Sequence, residues 1–498
     1  MGKARMTNEE ASARLLDGLT DSQREAAEDL LSGRCVFLTG DAGTGKSYLL
    51  DRYIDFLDAI GKPKLVMAPT GIAALNVTDG VTIHRALHAP FGVVDARRTS
   101  RAPKALQLAE VVIIDEVSMV RIDLFDYVMS VVEAAEALDG AKQVVLCGDF
   151  FQLPPVVTDK DRDALRELYP DSPQGWCFQS QHWARHGFRP HVLTDIVRQD
   201  DPDLQRNLDL ARRGDPSCIG YFNQRAVSSR AYAPTDAPFL CSTNRMADNI
   251  NRERVALLDA RTTVYRASSR GKVNSGDKMV DDEIELCRGA RVMAVVNDKD
   301  GKYVNGSLGT VGECGPAWVD VAFDDADEIV RVKAHEWDVS TCSVVDEVVT
   351  GSDGEPEVVK TVETEVIGSF RQIPLKLAYA VTIHKSQGLT YERAVVQTKT
   401  FAAGQLYVGL SRVQSLEGLT VFPRIEPERL RASREVLDFY DSLSAAPEGD
   451  DSPRQMSLEL AGPLSHGVAD WLVATAEDLG MSADDLVLEA VGRYAEAC

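Results

Sequence analysis

The chain has 498 residues, a formal net charge of −23 and a pI of about 4.8, enough length for about two to four domains with real cores. The acidic balance excludes a passive nucleic-acid coat but not a motor whose binding channel is locally basic. The nine cysteines include no C-x-x-C pair, which argues against a disulfide frame or a zinc site and for reduced, packed thiols. The N-terminal segment has no apolar signal region, and no apolar run approaches the ~18 residues of a membrane helix. A soluble, cytoplasmic protein without membrane contact is expected.

Four apolar strands are predicted at 35–39, 64–68, 110–114 and 143–147, separated by helical stretches as in a parallel α/β sheet. Each ends in a polar cluster, where open α/β sheets bind ligands. The first runs into Gly40-Asp41-Ala42-Gly43-Thr44-Gly45-Lys46-Ser47, which fits G-x-x-x-x-G-K-[ST], and then into the helical pattern Tyr48–Ile54. Its glycines let successive backbone N–H groups face phosphate oxygens beside a helix N-terminus. Lys46 would reach the β- and γ-phosphates of ATP and Ser47 would ligate Mg²⁺. The strand–loop–helix context disfavours a mere Gly-rich surface turn. At the end of the third strand, Asp115 would hold Mg²⁺ through water while Glu116 orients and deprotonates the attacking water. The fourth strand leads to Gln152, placed as a γ-phosphate sensor; Phe150 and Phe151 suit the core as well as base stacking.

Between Leu87 and Ala109, Arg97, Arg98, Arg101 and Lys104 form a basic patch in an otherwise acidic chain, a solvated loop or a DNA contact. A second α/β region is expected with strands near 191–193, 238–241, 290–296, 394–398 and 419–422. Short β-rich runs between 310 and about 370 predict a small β-barrel insert, with the acidic stretch Thr350–Pro356 as an exposed hairpin tip. Residues 445–455 have linker composition. The extension 456–498 carries two amphipathic helical patterns around Gly480-Met481-Ser482, with a helix N-cap signature at Ser482 and Asp485. It suits a docking module for a protein partner or a helical pair packed on the body.

The ordered series GDAGTGKS, APTGIAA, TIHRAL, IDEVSM, GDFFQLPPV, VRQ, TIHKSQGLT and YVGLSR, over roughly 20–425, resembles the RecD/Pif-type superfamily 1B DNA helicases, the Dda-like group. The resemblance implies two RecA-like P-loop domains in tandem, 1–190 and 191–440. The first would carry a wedge insert at about 87–108, with Phe91 a candidate wedge aromatic and Arg97 and Arg98 contacting DNA. It also implies an ATP-driven monomer moving 5′ to 3′ on single-stranded DNA and opening forks in replication, recombination or repair. Carried over by position, Gln23 in Leu19-Thr20-Asp21-Ser22-Gln23 reads adenine, Arg198 and Arg412 are arginine fingers, and Gly388 sets a backbone N–H near the γ-phosphate. The DNA track is Pro69, Thr70, Thr82, His84, Thr382, His384, Lys385 and Ser386; such groups hold phosphates or pack on bases without reading sequence. His84 and His384 lack metal-ligand spacing, and a buried structural histidine is the alternative for each.

Two departures from the family pattern stand out. Gly409 replaces the family's usual Ala, at a helix-propensity cost of about 1 kcal/mol that would loosen the helix before Arg412. The acidic balance implies weak, salt-sensitive DNA binding. A different class of function is a DNA-stimulated ATPase that acts as a switch or scaffold through the extension. A small-molecule kinase leaves TIHKSQGLT and YVGLSR unexplained, and the sequence shows no nuclease-like metal cluster.

Overall fold

The structure, a computed structural model, describes residues 6–445 except 91, 95–101, 158, 196–200, 231–236, 275–277, 325 and 351–355. Arg198, Arg97, Arg98, Phe91, Arg101, the linker from 446 on and the extension 456–498 therefore lie outside the described residues. The described residues up to Leu443 belong to one compact unit.

The apolar runs of the first third assemble as expected. Strands β1 (Val36–Gly40), β2 (Lys64–Ala68), β3 (Val81–Thr82), β4 (Val111–Ile114), β5 (Gln143–Cys147) and β6 (Arg189–Leu193) form one sheet in the order β3-β2-β4-β5-β1-β6, with every pairing parallel. β1, β4 and β5 are buried throughout, because a parallel sheet is covered by helices on both faces. Side-chain alternation divides them between two cores. Val36, Leu38, Ile113 and Val145 meet Leu50, Ile54 and Leu57 of the helix Lys46–Ile60. Phe37, Val112, Val144 and Leu146 meet Phe125, Val128 and Val132 of the helix Ile122–Asp139. The helix Arg434–Ala445 returns to this second core through Val436 and Tyr440. The sheet fits a RecA-like ATPase domain.

The strand near 191–193, expected in the second α/β region, is β6 and pairs with β1 from Val36↔Arg189 to Gly40↔Leu193. The turn at Gly187, with φ of 50° after the helix Gln181–His186, sends the chain straight back alongside β1. A second parallel sheet runs Ala380–Thr382, Phe239–Cys241, Ala394–Gln397, Leu419–Phe422 in spatial order. The expected strand at 290–296 is not part of it. Arg291–Ala294 pairs antiparallel with Leu308–Cys314 and Leu375–Leu377 inside a five-stranded antiparallel sheet. The stretch between Ala294 and Leu308 contains no helix, so it supplies a hairpin connection and not the crossover that parallel pairing needs. The long strands His335–Thr350 and Pro356–Gln372 pair antiparallel up to Thr350↔Pro356, flanking the expected hairpin tip.

Candidate nucleotide and nucleic-acid site

The polar clusters at the carboxyl ends of β1, β4 and β5 converge. Gly43 and Gly45 take φ of 92° and 80°, left-handed values that favour glycine. A Cβ on Gly45 would also stand 2.5 Å from Gln23 Nε2. Lys46 Nζ donates to the carbonyls of Gly40 (2.8 Å) and Asp41 (2.9 Å), so its charge stands on the loop it is expected to serve. Ser47 is exposed at the start of the helix. Gln23 is buried and uses both ends of its amide: Oε1 accepts from Thr20 N–H (3.2 Å) and Nε2 donates to the Thr44 carbonyl (3.1 Å). In this geometry the expected adenine reader braces the P-loop.

Asp115 and Glu116 follow β4. Burial raises the Asp115 carboxyl above its ordinary value. Burial, and then the neighbouring charge of Asp115, pushes Glu116 up to about 7. Glu116 also has φ of 51°, a left-handed backbone that non-glycine residues adopt at a cost and that clusters at functional sites. Gln387, from the segment after Ala380–Thr382 of the second sheet, donates through Nε2 to Glu116 Oε2 (3.0 Å) and Gln152 Oε1 (3.2 Å). The two parallel sheets are thus joined across the ends of β4 and β5. Gly388 has φ of 79°, with Asn76 beside it.

Arg412 is 1% exposed. It donates to the carbonyls of Val408 (2.9 Å), Leu389 (3.3 Å) and Ser386 (3.4 Å), and its positive charge draws the Glu116 pKa down. A Cβ on Gly409 would stand 2.9 Å from Val396 Cγ1 and 3.4 Å from Ile383 Cδ1, so an alanine there requires those side chains to shift. Beside its propensity cost, Gly409 permits the close approach of that helix to the sheet.

The expected DNA-track residues divide. Pro69, Thr82 and His84 are half-buried, as is Thr70, whose Oγ1 accepts from Ala73 N–H (3.2 Å). Burial, and then the charge of Arg121, lowers the pKa of His84; burial lowers that of His384. Lys385 is exposed. Thr382 and Ser386 are both buried, with Thr382 Oγ1 accepting from Lys385 N–H (3.3 Å) and Ser386 Oγ donating to the Ile383 carbonyl (2.8 Å). These hydroxyls shape the turn that presents Lys385. Phe150 and Phe151 are core residues, 1% and 3% exposed.

Three further groups at the site were not singled out in the sequence, although Tyr407 opens the YVGLSR motif. Arg212, buried on the helix Pro202–Arg212, spans Asp41 of the P-loop (2.9 Å) and Asp149 after β5 (2.9 Å). The Tyr407 hydroxyl accepts from Ala42 N–H (3.3 Å). Tyr440 shares a hydrogen bond with Thr39 Oγ1 (2.6 Å) and accepts from Phe150 N–H (3.3 Å).

A family model described as PIF1-like helicase matches residues 18–204. The ATP-dependent DNA helicase Pif1 of Psychrobacter sp. (strain PRwf-1) is 31% identical over 500 residues, spanning 88% of this chain and 73% of its own length. Among solved structures, Bacteroides sp Pif1 in complex with ADP-AlF4 is similar with a TM-score of 0.73 at 29% identity, over 86% of this chain and 97% of its own. Bacteroides Pif1 bound to ssDNA is similar with a TM-score of 0.61 at 30% identity, over the same 86% and 97%. Agreement that runs through both parallel sheets and most of the sequence places the chain in the PIF1-like helicase family.

Proposed function

We propose that this chain is an ATP-dependent DNA helicase that translocates 5′ to 3′ on single-stranded DNA and unwinds duplex DNA in replication, recombination or repair. The observation that carries this is the Gln387 bridge to Glu116 and Gln152. A cleft whose walls belong to different sheets can turn phosphate chemistry into relative movement, which a single-sheet kinase has no means to do. The similarity to Bacteroides Pif1 bound to ssDNA and to its ADP-AlF4 complex supports both substrates. The finer architecture belongs to the same proposal: two RecA-like domains in tandem, the first running past the expected boundary at 190 to include β6 and the second reaching to about 440, a small β-barrel at about 310–370 in the second, and a wedge at about 87–108. The chain acts as a monomer, with 456–498 open to a protein partner.

The donor set fits Mg²⁺. Ser47 and Asp115 offer oxygen ligands, and the buried Asp115 carboxylate, penalised by desolvation, gains from a cation. When bound, Mg²⁺ would neutralise charge on the phosphates. Lys46 is proposed to move from its loop carbonyls onto the β- and γ-phosphates. Glu116 accepts the proton of the attacking water, and a basicity near 7 suits that task at neutral pH. Gln152 senses the γ-phosphate. Arg198 and Arg412 act as guanidinium fingers, a contribution worth about three to five decades in rate. The Arg412 bond to the Ser386 carbonyl links that finger to the turn presenting His384 and Lys385, which with Pro69, Thr70, Thr82 and His84 hold the strand.

The test pairs ATPase rate with and without single-stranded DNA with unwinding of 5′-tailed and 3′-tailed duplexes. DNA-stimulated hydrolysis and selective opening of the 5′-tailed substrate are expected. Preference for the 3′ tail refutes the polarity, and the absence of both stimulation and unwinding refutes the motor.

A further inference from the structure

At the opposite end of β1 from the P-loop lies a cluster the helicase chemistry does not use. The helix Gln181–His186 carries His182 and His186, four residues apart and so on one helical face. Both rings aim at one carboxylate oxygen of the helix Ile122–Asp139: His182 Nδ1 lies 2.8 Å and His186 Nε2 3.3 Å from Glu133 Oε1. The three donor atoms all lie within 4.8 Å of one another. A tetrahedral zinc ion with bonds of about 2.0 Å sets its ligand atoms about 3.3 Å apart, so small adjustments admit an ion between them. The second imidazole nitrogen of His182 stands 3.4 Å from Ser130 Oγ, as metal-ligating histidines are held through their other ring nitrogen.

We propose that Glu133, His182 and His186 bind one zinc ion, with water as the fourth ligand. Two imidazoles and a carboxylate favour Zn²⁺ over Mg²⁺ or Ca²⁺. The site is structural. The helix carrying the histidines turns at Gly187 into β6, whose Arg189 pairs with Val36, and Val36 and Gly40 stand about 13 Å apart along the strand, too far for the ion to touch the nucleotide chemistry. Metal here ties the helix Gln181–His186 to the helix Ile122–Asp139. Trp183, between the two histidines, packs on Phe37 and Phe150, so the staple also steadies the aromatic core behind Asp149. Without metal, both rings meet Glu133 Oε1 through hydrogen bonds, with Arg185 3.9 Å away at the rim.

The full chain, stripped with EDTA and free of nucleotide, is titrated with Zn²⁺ against a chromophoric chelator. One tight equivalent is expected in the wild type, lost in the double variant H182A/H186A and weakened at least tenfold in E133Q. Zinc held at the P-loop instead would survive in H182A/H186A, and equal binding by wild type and that variant overturns the proposal. Should the double variant fail to fold, Co²⁺ substitution of the wild type decides. Intense visible d–d bands of a tetrahedral nitrogen–oxygen site, without a near-ultraviolet thiolate band, support the proposal. Absence of the d–d bands, or a thiolate band, refutes it.

Discussion

Arg212→Ala removes a buried cation from between two carboxylates. The guanidinium is 4% exposed, spans Asp41 and Asp149 at 2.9 Å each, and lies over the rings of Phe151 (4.2 Å) and Tyr440 (5.2 Å). Deleting one partner of a buried pair leaves an uncompensated charge and costs about 3–5 kcal/mol. Asp149 would keep donors from Phe151 N–H (3.1 Å) and the Tyr440 hydroxyl (3.4 Å), and the 26% exposed side chain of Asp41 can take up water. The low end applies, about 3 kcal/mol, or roughly a hundredfold in the folding equilibrium. With a urea slope of ~3 kcal/mol/M the midpoint falls by about 1 M. Arg212→Lys keeps the charge but loses the planar fork, and its midpoint should fall between the two. The double variant R212A/D149N, which also removes the stranded Asp149 charge, should recover about half of the loss through coupling. Because Asp41 belongs to the P-loop, ATP should also bind R212A less tightly. A wild-type urea midpoint for R212A, or no recovery in the double variant, refutes the reasoning.

Lys46→Ala should reduce kcat for ATP hydrolysis by about 10²–10³ or more while leaving single-stranded DNA binding largely intact; unwinding at the wild-type rate would contradict the proposed site. Gly409→Ala sets a helix-propensity gain of about 1 kcal/mol against an overpacking cost of about 1–3 kcal/mol at Val396, so its melting temperature should fall, and a rise would show that the strand can give way. Asp29 provides the pH test. Burial raises its carboxyl, but hydrogen bonds from Arg34 and His191 and the charge of Arg189 outweigh this and hold it below its ordinary value of 3.8. A depressed folded-state pKa stabilises fully above the unfolded value and stops doing so as pH falls through the folded one. The stability difference between wild type and D29N should therefore be constant near neutrality and shrink below about pH 4; a difference that grows on acidification contradicts the assignment.

Local chemistry by itself determined much of this protein. The apolar runs at β1, β2, β4 and β5, the glycines of the P-loop and the acidic pair after β4 act within a few residues of one another, where period and backbone preference decide structure. The resemblance of the ordered motifs to Pif-type helicases followed from those same short segments. Only tertiary packing decided what depends on chain segments meeting from afar. Whether Arg189–Leu193 joined the first sheet or the second was settled by its pairing with β1. Gly409 reads as a weak helix position in the sequence, while the sheet beneath it crowds any methyl group against Val396. Arg212 has its partner Asp149 63 residues away, and Gln387 reaches Glu116 across 271. His182 and His186 share a helical face in any sequence reading, but Glu133, 49 residues before His182, meets them only because one helix packs against the other. Burial then makes these long-range pairings energetically decisive, since a charge or amide removed from water must find its partner inside the protein.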